Sequence, residues 1–128
     1  MEHREESAPA ESLSTVKKRI DWLASLYQFR DYARVEEFLR ANPSLTGLLL
    51  EAHKKIRDYF GTGTPIALEV FTDYEGESES GEEGPLFALI LTDLPWEEAS
   101  NRLDRLDEEW WIDAMPRDDL LIVSIEFI

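Results

Sequence analysis

Gly61-Thr62-Gly63-Thr64-Pro65-Ile66-Ala67-Leu68-Glu69-Val70-Phe71 is where the hydrophobic period of this chain changes. Ile66, Leu68 and Val70 alternate with Ala67, Glu69 and Phe71, the two-residue repeat of a half-buried strand. From Ser14 to Phe60 the apolar residues recur at helical spacing instead. Gly61 and Gly63 tolerate positive φ, so they stop the helix before them and mark the change of architecture.

Working back from that point, three helices are expected. Val16, Ile20, Leu23 and Tyr27 fall on one face, with Trp22, Leu26 and Phe29 widening the stripe and Ser14 or Thr15 as N-cap. A short helix from about Asp31 to Arg40 presents Val35, Phe38 and Leu39, and Asn42-Pro43 ends it, because a residue before proline avoids the α region. Ser44 caps a third, lined by Leu45, Leu48, Leu49, Ala52, Ile56, Tyr59 and Phe60. Met1–Leu13 is polar and acidic and reads as a flexible tail.

Working forward, Leu86–Leu91 is an unbroken apolar run, the mark of a strand covered on both faces. Between the two strands, residues 73–84 read DYEGESESGEEG, an acidic hairpin connection. Trp96, Ala99, Leu103, Leu106 and Trp110 then form a narrow seam on a charged helix. Asp93 and Pro95 suit its first turn, where Glu97 and Glu98 complement the dipole. After Met115-Pro116, Leu121, Val123, Ile125 and Phe127 alternate in a last strand.

The order α-α-α-β-β-α-β predicts an α+β fold: three N-terminal helices over 14–60, then a β-β-α-β unit over 65–128 with a three-stranded, mainly antiparallel sheet. A crossover helix brings the last strand either beside the first (order 2-1-3, all antiparallel) or beside the second in parallel. The order 2-1-3 is preferred. No linker divides helices from sheet, so one domain is expected over 14–128.

Charge is distributed as unevenly as structure. The net charge is −15, and residues 1–60 hold ten acidic and ten basic side chains, so all of the excess lies in 61–128. There the only bases are Arg102, Arg105 and Arg117. Such a field repels nucleic acid and anionic membrane and attracts a basic partner. The chain has no cysteine, which excludes disulfides, thiol chemistry and cysteine-ligated zinc. No apolar run approaches the roughly 20 residues that span a bilayer, and Met1–Leu13 holds no signal-like apolar stretch, so a cytoplasmic bacterial protein is expected. One glutamine, two asparagines and two methionines lean towards a thermophilic source, although scarce lysine does not.

Catalytic signatures are sparse. His3 lies in the tail, and His53 in His53-Lys54-Lys55 reads as solvent-facing. No serine or threonine stands in a nucleophile elbow, and Gly61-Thr62-Gly63-Thr64 lacks the phosphate-cradling GxxxxGK[ST] pattern. Asp73-Tyr74-Glu75-Gly76-Glu77 superficially suggests a calcium loop, but its glycine is fourth rather than sixth and no helix follows. No catalytic residue, cofactor or metal ligand is therefore assigned. Lys17-Lys18-Arg19 and Lys54-Lys55-Arg57 are each balanced by nearby acids and read as solvated faces rather than a nucleic-acid footprint.

The positive signals are acidic and aromatic. In Glu108-Glu109-Trp110-Trp111-Ile112-Asp113, neighbouring helical residues diverge by about 100°, so both tryptophans cannot share one seam. Trp110 continues the stripe into the core. Trp111 goes either beneath the chain at Met115-Pro116 or into an interface, where a tryptophan with an acidic rim suits a basic partner. Trp111, Glu108, Glu109 and Asp113 are accordingly partner-binding candidates. So are Asp73, Glu75, Glu77, Glu79, Glu82 and Glu83 of the acidic connection, which serves either as a docking surface or as a solubilising tip.

Several stretches also carry a resemblance: Phe38-Leu39-Arg40-Ala41-Asn42-Pro43-Ser44-Leu45, Leu48-Leu49-Leu50-Glu51-Ala52, Ile56-Arg57-Asp58-Tyr59-Phe60, and above all Leu106-Asp107-Glu108-Glu109-Trp110-Trp111-Ile112-Asp113-Ala114-Met115-Pro116. Over most of 16–128 the chain resembles a group of small acidic proteins of cyanobacteria, Chloroflexi and Thermus-type bacteria that have no established activity. The resemblance implies no functional residues. Size and charge suggest, by analogy, a non-enzymatic interaction protein that neutralises a basic protein, as antitoxins and immunity proteins do. The alternatives are a self-associating homodimer joined through aromatics and a sheet edge, and a metal-dependent hydrolase using the Asp/Glu cluster.

Overall fold

The computed structural model describes residues 4–72, 83–116 and 120–128. It is an α+β arrangement: α1 (Arg4–Leu26), β1 (Gln28–Phe29), α2 (Tyr32–Ala41), α3 (Ser44–Phe60), β2 (Ile66–Thr72), β3 (Glu83–Thr92), α4 (Trp96–Leu106), a π-helical turn (Asp107–Trp111), α5 (Ile112–Ala114) and β4 (Leu121–Phe127). The first helix begins at Arg4 rather than Ser14, so Ser14 and Thr15 lie inside it rather than at its N-terminus.

The sheet has four strands in the order β1-β2-β3-β4, which corrects the expected three strands in the order 2-1-3. β2 and β3 form the expected antiparallel hairpin, but β4 lies parallel to β3, with Leu86 opposite Leu121 and Ile90 opposite Ile125. The reason lies on the other edge of β2. Gln28 and Phe29, expected at the end of the first helix, pair there in parallel with Ala67 and Leu68, and the Arg30 N–H donates to the Leu68 carbonyl at 2.9 Å. The edge that the order 2-1-3 needs is therefore occupied, and the crossover through α4 delivers β4 to the far side of β3.

Strand alternation gives the sheet two unlike faces. Leu68, Val70, Leu86, Ala88, Ile90, Leu121 and Val123 are buried together with Ile20, Leu23, Tyr27, Val35, Leu39, Leu49, Ile56 and Leu106 from the helices. This single core contains the predicted stripes of the first three helices. Two predicted members are missing: Trp22 is 59% exposed and Trp96 is 68% exposed. Trp22 lies one step off the buried stripe of its helix, beside Leu23, whereas Trp96 is on the seam of α4 but is its first residue, at the open end of the helix. The opposite face carries Glu69, Phe71, Phe87, Leu89, Ile122 and Glu126 by the same alternation.

Helix ends follow local chemistry. Gly61 takes φ 111° and closes α3, its N–H donating to the Arg57 carbonyl at 2.8 Å. Asp31 enters α2 at φ 58°, in the left-handed region that aspartate tolerates better than most residues. Asn42, the residue before Pro43, ends α2, as its place before a proline requires. Among the described residues no helix is long and apolar enough to cross a membrane.

Candidate functional site

The segment from Trp96 to Pro116 holds seven acids and two bases, and the structure divides those charges between two jobs. One set clamps the helix to α3. The Arg102 Nη1 donates to the Tyr59 carbonyl at 3.0 Å, and its Nη2 to Glu98 Oε2 at 2.5 Å. The Tyr59 hydroxyl donates to the Glu109 carboxylate, and that bond holds the phenol above its ordinary pKa because ionisation would set two anions together. Arg105 lies 5.7 Å over the Tyr59 ring and 3.8 Å from Glu109. The Trp110 indole N–H donates to Glu51 Oε2 at 3.2 Å.

The other set faces solvent. Glu97, Asp104, Glu108 and Asp113 are exposed and make no ion pair among the described residues. Asp107, half-buried, has its pKa raised by burial first and then by the nearby carboxylates of Asp104 and Glu108. Crowded acids with too few partners are the local form of the charge surplus seen in the sequence.

Trp111 takes the buried one of its two expected places, and Trp110 leaves the core place expected of it. Trp111 is only 6% exposed and belongs to the core, whereas Trp110 is half-buried at its edge, with ring centroids 5.5 Å apart and planes at 41°. The cause is the π-helical turn. The Ile112 N–H reaches back five residues to the Asp107 carbonyl, so one extra residue is accommodated before the chain returns to the same face. Leu106 is thus followed on the buried side by Trp111 instead of Trp110. Trp111 as a partner anchor is not what this geometry offers.

What the turn exposes instead is Ile112, 59% exposed, and Met115, 42% exposed. They stand three residues apart, so they are neighbours on one helical face beside Glu108 and Asp113. Sequence reasoning missed them because it carried a 3.6-residue period through a stretch that breaks it. Of the other candidate residues, Glu108 and Asp113 border this apolar pair, while Glu109 is engaged by Tyr59 and Arg105. Glu83 opens β3. Asp73, Glu75, Glu77, Glu79 and Glu82 lie outside the described residues.

His53 also departs from expectation, being only 9% exposed. Its sequence neighbour Lys54 is exposed, but His53 follows Leu49 by four residues and precedes Ile56 by three, which puts it on the buried stripe. Its ring meets Tyr27 edge to face at 5.4 Å and hydrogen-bonds the Leu26 backbone. Burial, and secondarily the charge of Arg57, hold its pKa below the ordinary histidine value. Among the described residues no three of His, Asp and Glu converge to hold a metal ion.

No family model, curated protein or solved structure matches the chain.

Proposed function

We propose that this is a non-enzymatic interaction protein that binds a basic protein through the π-helical turn and α5, with Ile112 and Met115 as apolar anchors and Glu108 and Asp113 as the acidic rim. The observation that carries the reading is the exposed apolar pair set among carboxylates that no arginine or lysine of the described residues neutralises. An apolar centre with a charged border is how a small interface combines affinity with orientation. Occlusion of the cationic substrate cleft of a nuclease, in the manner of an antitoxin or immunity protein, is its most concrete form.

The test is capture of partners from the host lysate on the tagged protein, washed at low and then high salt, beside an Ile112→Ser/Met115→Ser variant. A basic protein released by salt and lost with the variant supports the reading. Steering by a net charge of −15 makes the association rate fall steeply with ionic strength, and a salt-independent rate overturns the electrostatic part.

A second reading rests on the sheet. The outer edge of β4 pairs with no other strand among the described residues, and Phe71 and Phe127 are exposed. An uncovered edge invites a second copy. A dimer mass that persists at high salt and is lost in Phe127→Lys favours self-association.

A further inference from the structure

The charge-balanced N-terminal half of the molecule holds a groove that the acidic-face reading leaves unused. It lies between α1 and α3, encloses about 540 Å³, and is lined by Trp22, Leu26, Leu50, His53, Lys54, Arg57, Asp58 and Thr62. That volume falls in the range of roughly 300–1,000 Å³ typical of small-molecule sites. Its chemistry is opposite to that of the protein as a whole: two cations to one carboxylate, in a chain of net charge −15.

Three features show what it suits. First, Lys54 and Arg57 make no ion pair among the described residues, although Asp58 is beside them, and the Arg57 Nε is buried without a hydrogen-bond partner. Among the described residues no carboxylate pairs with Arg57, which lines the groove half-buried, so its charge is left for an anionic acceptor there. Second, Trp22 is a large apolar ring held 59% exposed at the rim, next to Leu26 and Leu50. Third, two of the carbonyls at the end of α1, which would repel an anion, already accept hydrogen bonds: Leu23 from the Tyr27 N–H and Leu26 from the His53 ring.

We infer that this groove is a binding site for a small organic anion with an aromatic or aliphatic body, its carboxylate, sulfonate or phosphate held by Lys54 and Arg57 and its apolar part laid against Trp22, Leu26 and Leu50. The site is separate from the π-helical turn and α5 and does not depend on the partner-binding reading. It gives the protein two surfaces of opposite charge.

The probe is 1-anilinonaphthalene-8-sulfonate, compared with uncharged N-phenyl-1-naphthylamine, titrated into the full chain while the indole N–H resonances of the tryptophans are followed by NMR. The expected result is saturable one-to-one binding of the sulfonate that moves the Trp22 resonance and leaves that of Trp96 in place. Lys54→Gln/Arg57→Gln weakens the sulfonate about tenfold or more, the effect of losing charge-assisted bonds, and leaves the uncharged probe within about twofold. Trp22→Ala weakens both probes, and its exposed position spares the fold. The inference is overturned if the sulfonate does not saturate, if other indoles move while Trp22 stays still, or if Lys54→Gln/Arg57→Gln binds as the parent does. It is equally overturned if the Trp22 resonance shifts with protein concentration alone, since the groove is then filled by a second copy.

Discussion

The guanidinium of Arg30 grips both carboxylate oxygens of Glu126, with Nη1–Oε1 at 2.9 Å and Nη2–Oε2 at 2.8 Å, across 96 residues of chain. Nη1 also donates to Glu69 Oε1 at 3.1 Å. One side chain at the end of β1 thus ties β2 to β4 over the face of β3, fastening an edge strand that backbone pairing alone leaves at the margin of the sheet. The bidentate fork is specific to arginine.

From this we expect Arg30→Gln and Glu126→Gln each to lower the urea midpoint modestly, and the double variant to lose less than the two combined. All three groups are over a third exposed at the side chain or close to it, so solvent screening keeps the effect far below that of a core truncation. The hydrogen bonds from Arg30 hold the Glu126 carboxyl below the ordinary glutamate range. Its share of stability is therefore complete above about pH 4.3 and lost as pH falls through the lowered folded value. Acid titration of stability in Glu126→Gln should be flatter in that window; an unchanged acid limb sinks the assignment.

Two glycines predict opposite outcomes for the same substitution. A Cβ on Gly84 would stand 2.6 Å from the Phe71 ring and 3.3 Å from its Cβ, against a ring that also neighbours Phe87. Gly84→Ala should cost about 1–3 kcal/mol by forcing Phe71 aside. At Gly47, exposed inside α3, an added methyl group would meet nothing within 4 Å. Gly47→Ala should stabilise by about 0.5–1 kcal/mol through helix propensity. Thermal unfolding of both variants decides the matter, and equal effects of one sign would contradict the packing described.

The buried His53 makes stability pH-dependent near neutrality. Its folded pKa is depressed, so the unfolded chain takes up the proton first as pH falls. Stability is then full above the unfolded value of about 6.5 and declines as pH drops towards the folded value. Carboxylates of an unfolded chain take up their protons near pH 4, so the slope between about pH 7 and 5 is where the histidine contribution is read. Melting curves should show a decline there that His53→Gln removes. Retention of the slope in that variant would place His53 in solvent.

The sequence made the helical stripes and the hairpin legible because their signals are local: Ile20, Leu23, Val35, Leu49 and Ile56 announce their faces by spacing, and Gly61 announces its turn. Strand order was not legible, since it depends on whether two residues, Gln28 and Phe29, reach the edge of β2. A two-residue strand has no period to detect. His53 was misread because charged neighbours in sequence are a quarter-turn away in space. In the site, Glu108 and Asp113 were legible from charge, but Ile112 and Met115 were hidden behind an irregular turn that composition does not announce.

That turn gives the sharpest prediction. If the extra residue of Asp107–Trp111 is what carries Trp111 inward, deleting Glu108 restores a four-residue step from Leu106 to Trp111 and converts the π turn to regular helix. Trp111 keeps its place, so the deletion should fold with stability close to that of the parent. Deleting Asn101 instead turns Leu106 and Trp111 away from Ala99 by about 100°, and should unfold the domain or cost several kcal/mol. Trp111→Ala should cost about 3–5 kcal/mol as a core truncation, and Trp110→Ala distinctly less, since its ring is only half-buried. Urea unfolding of the four variants measures all of this at once. Equal damage from the two deletions would mean that the phase change is not localised in the turn, and a costlier Trp110→Ala would return that side chain to the core position that a regular helix gives it.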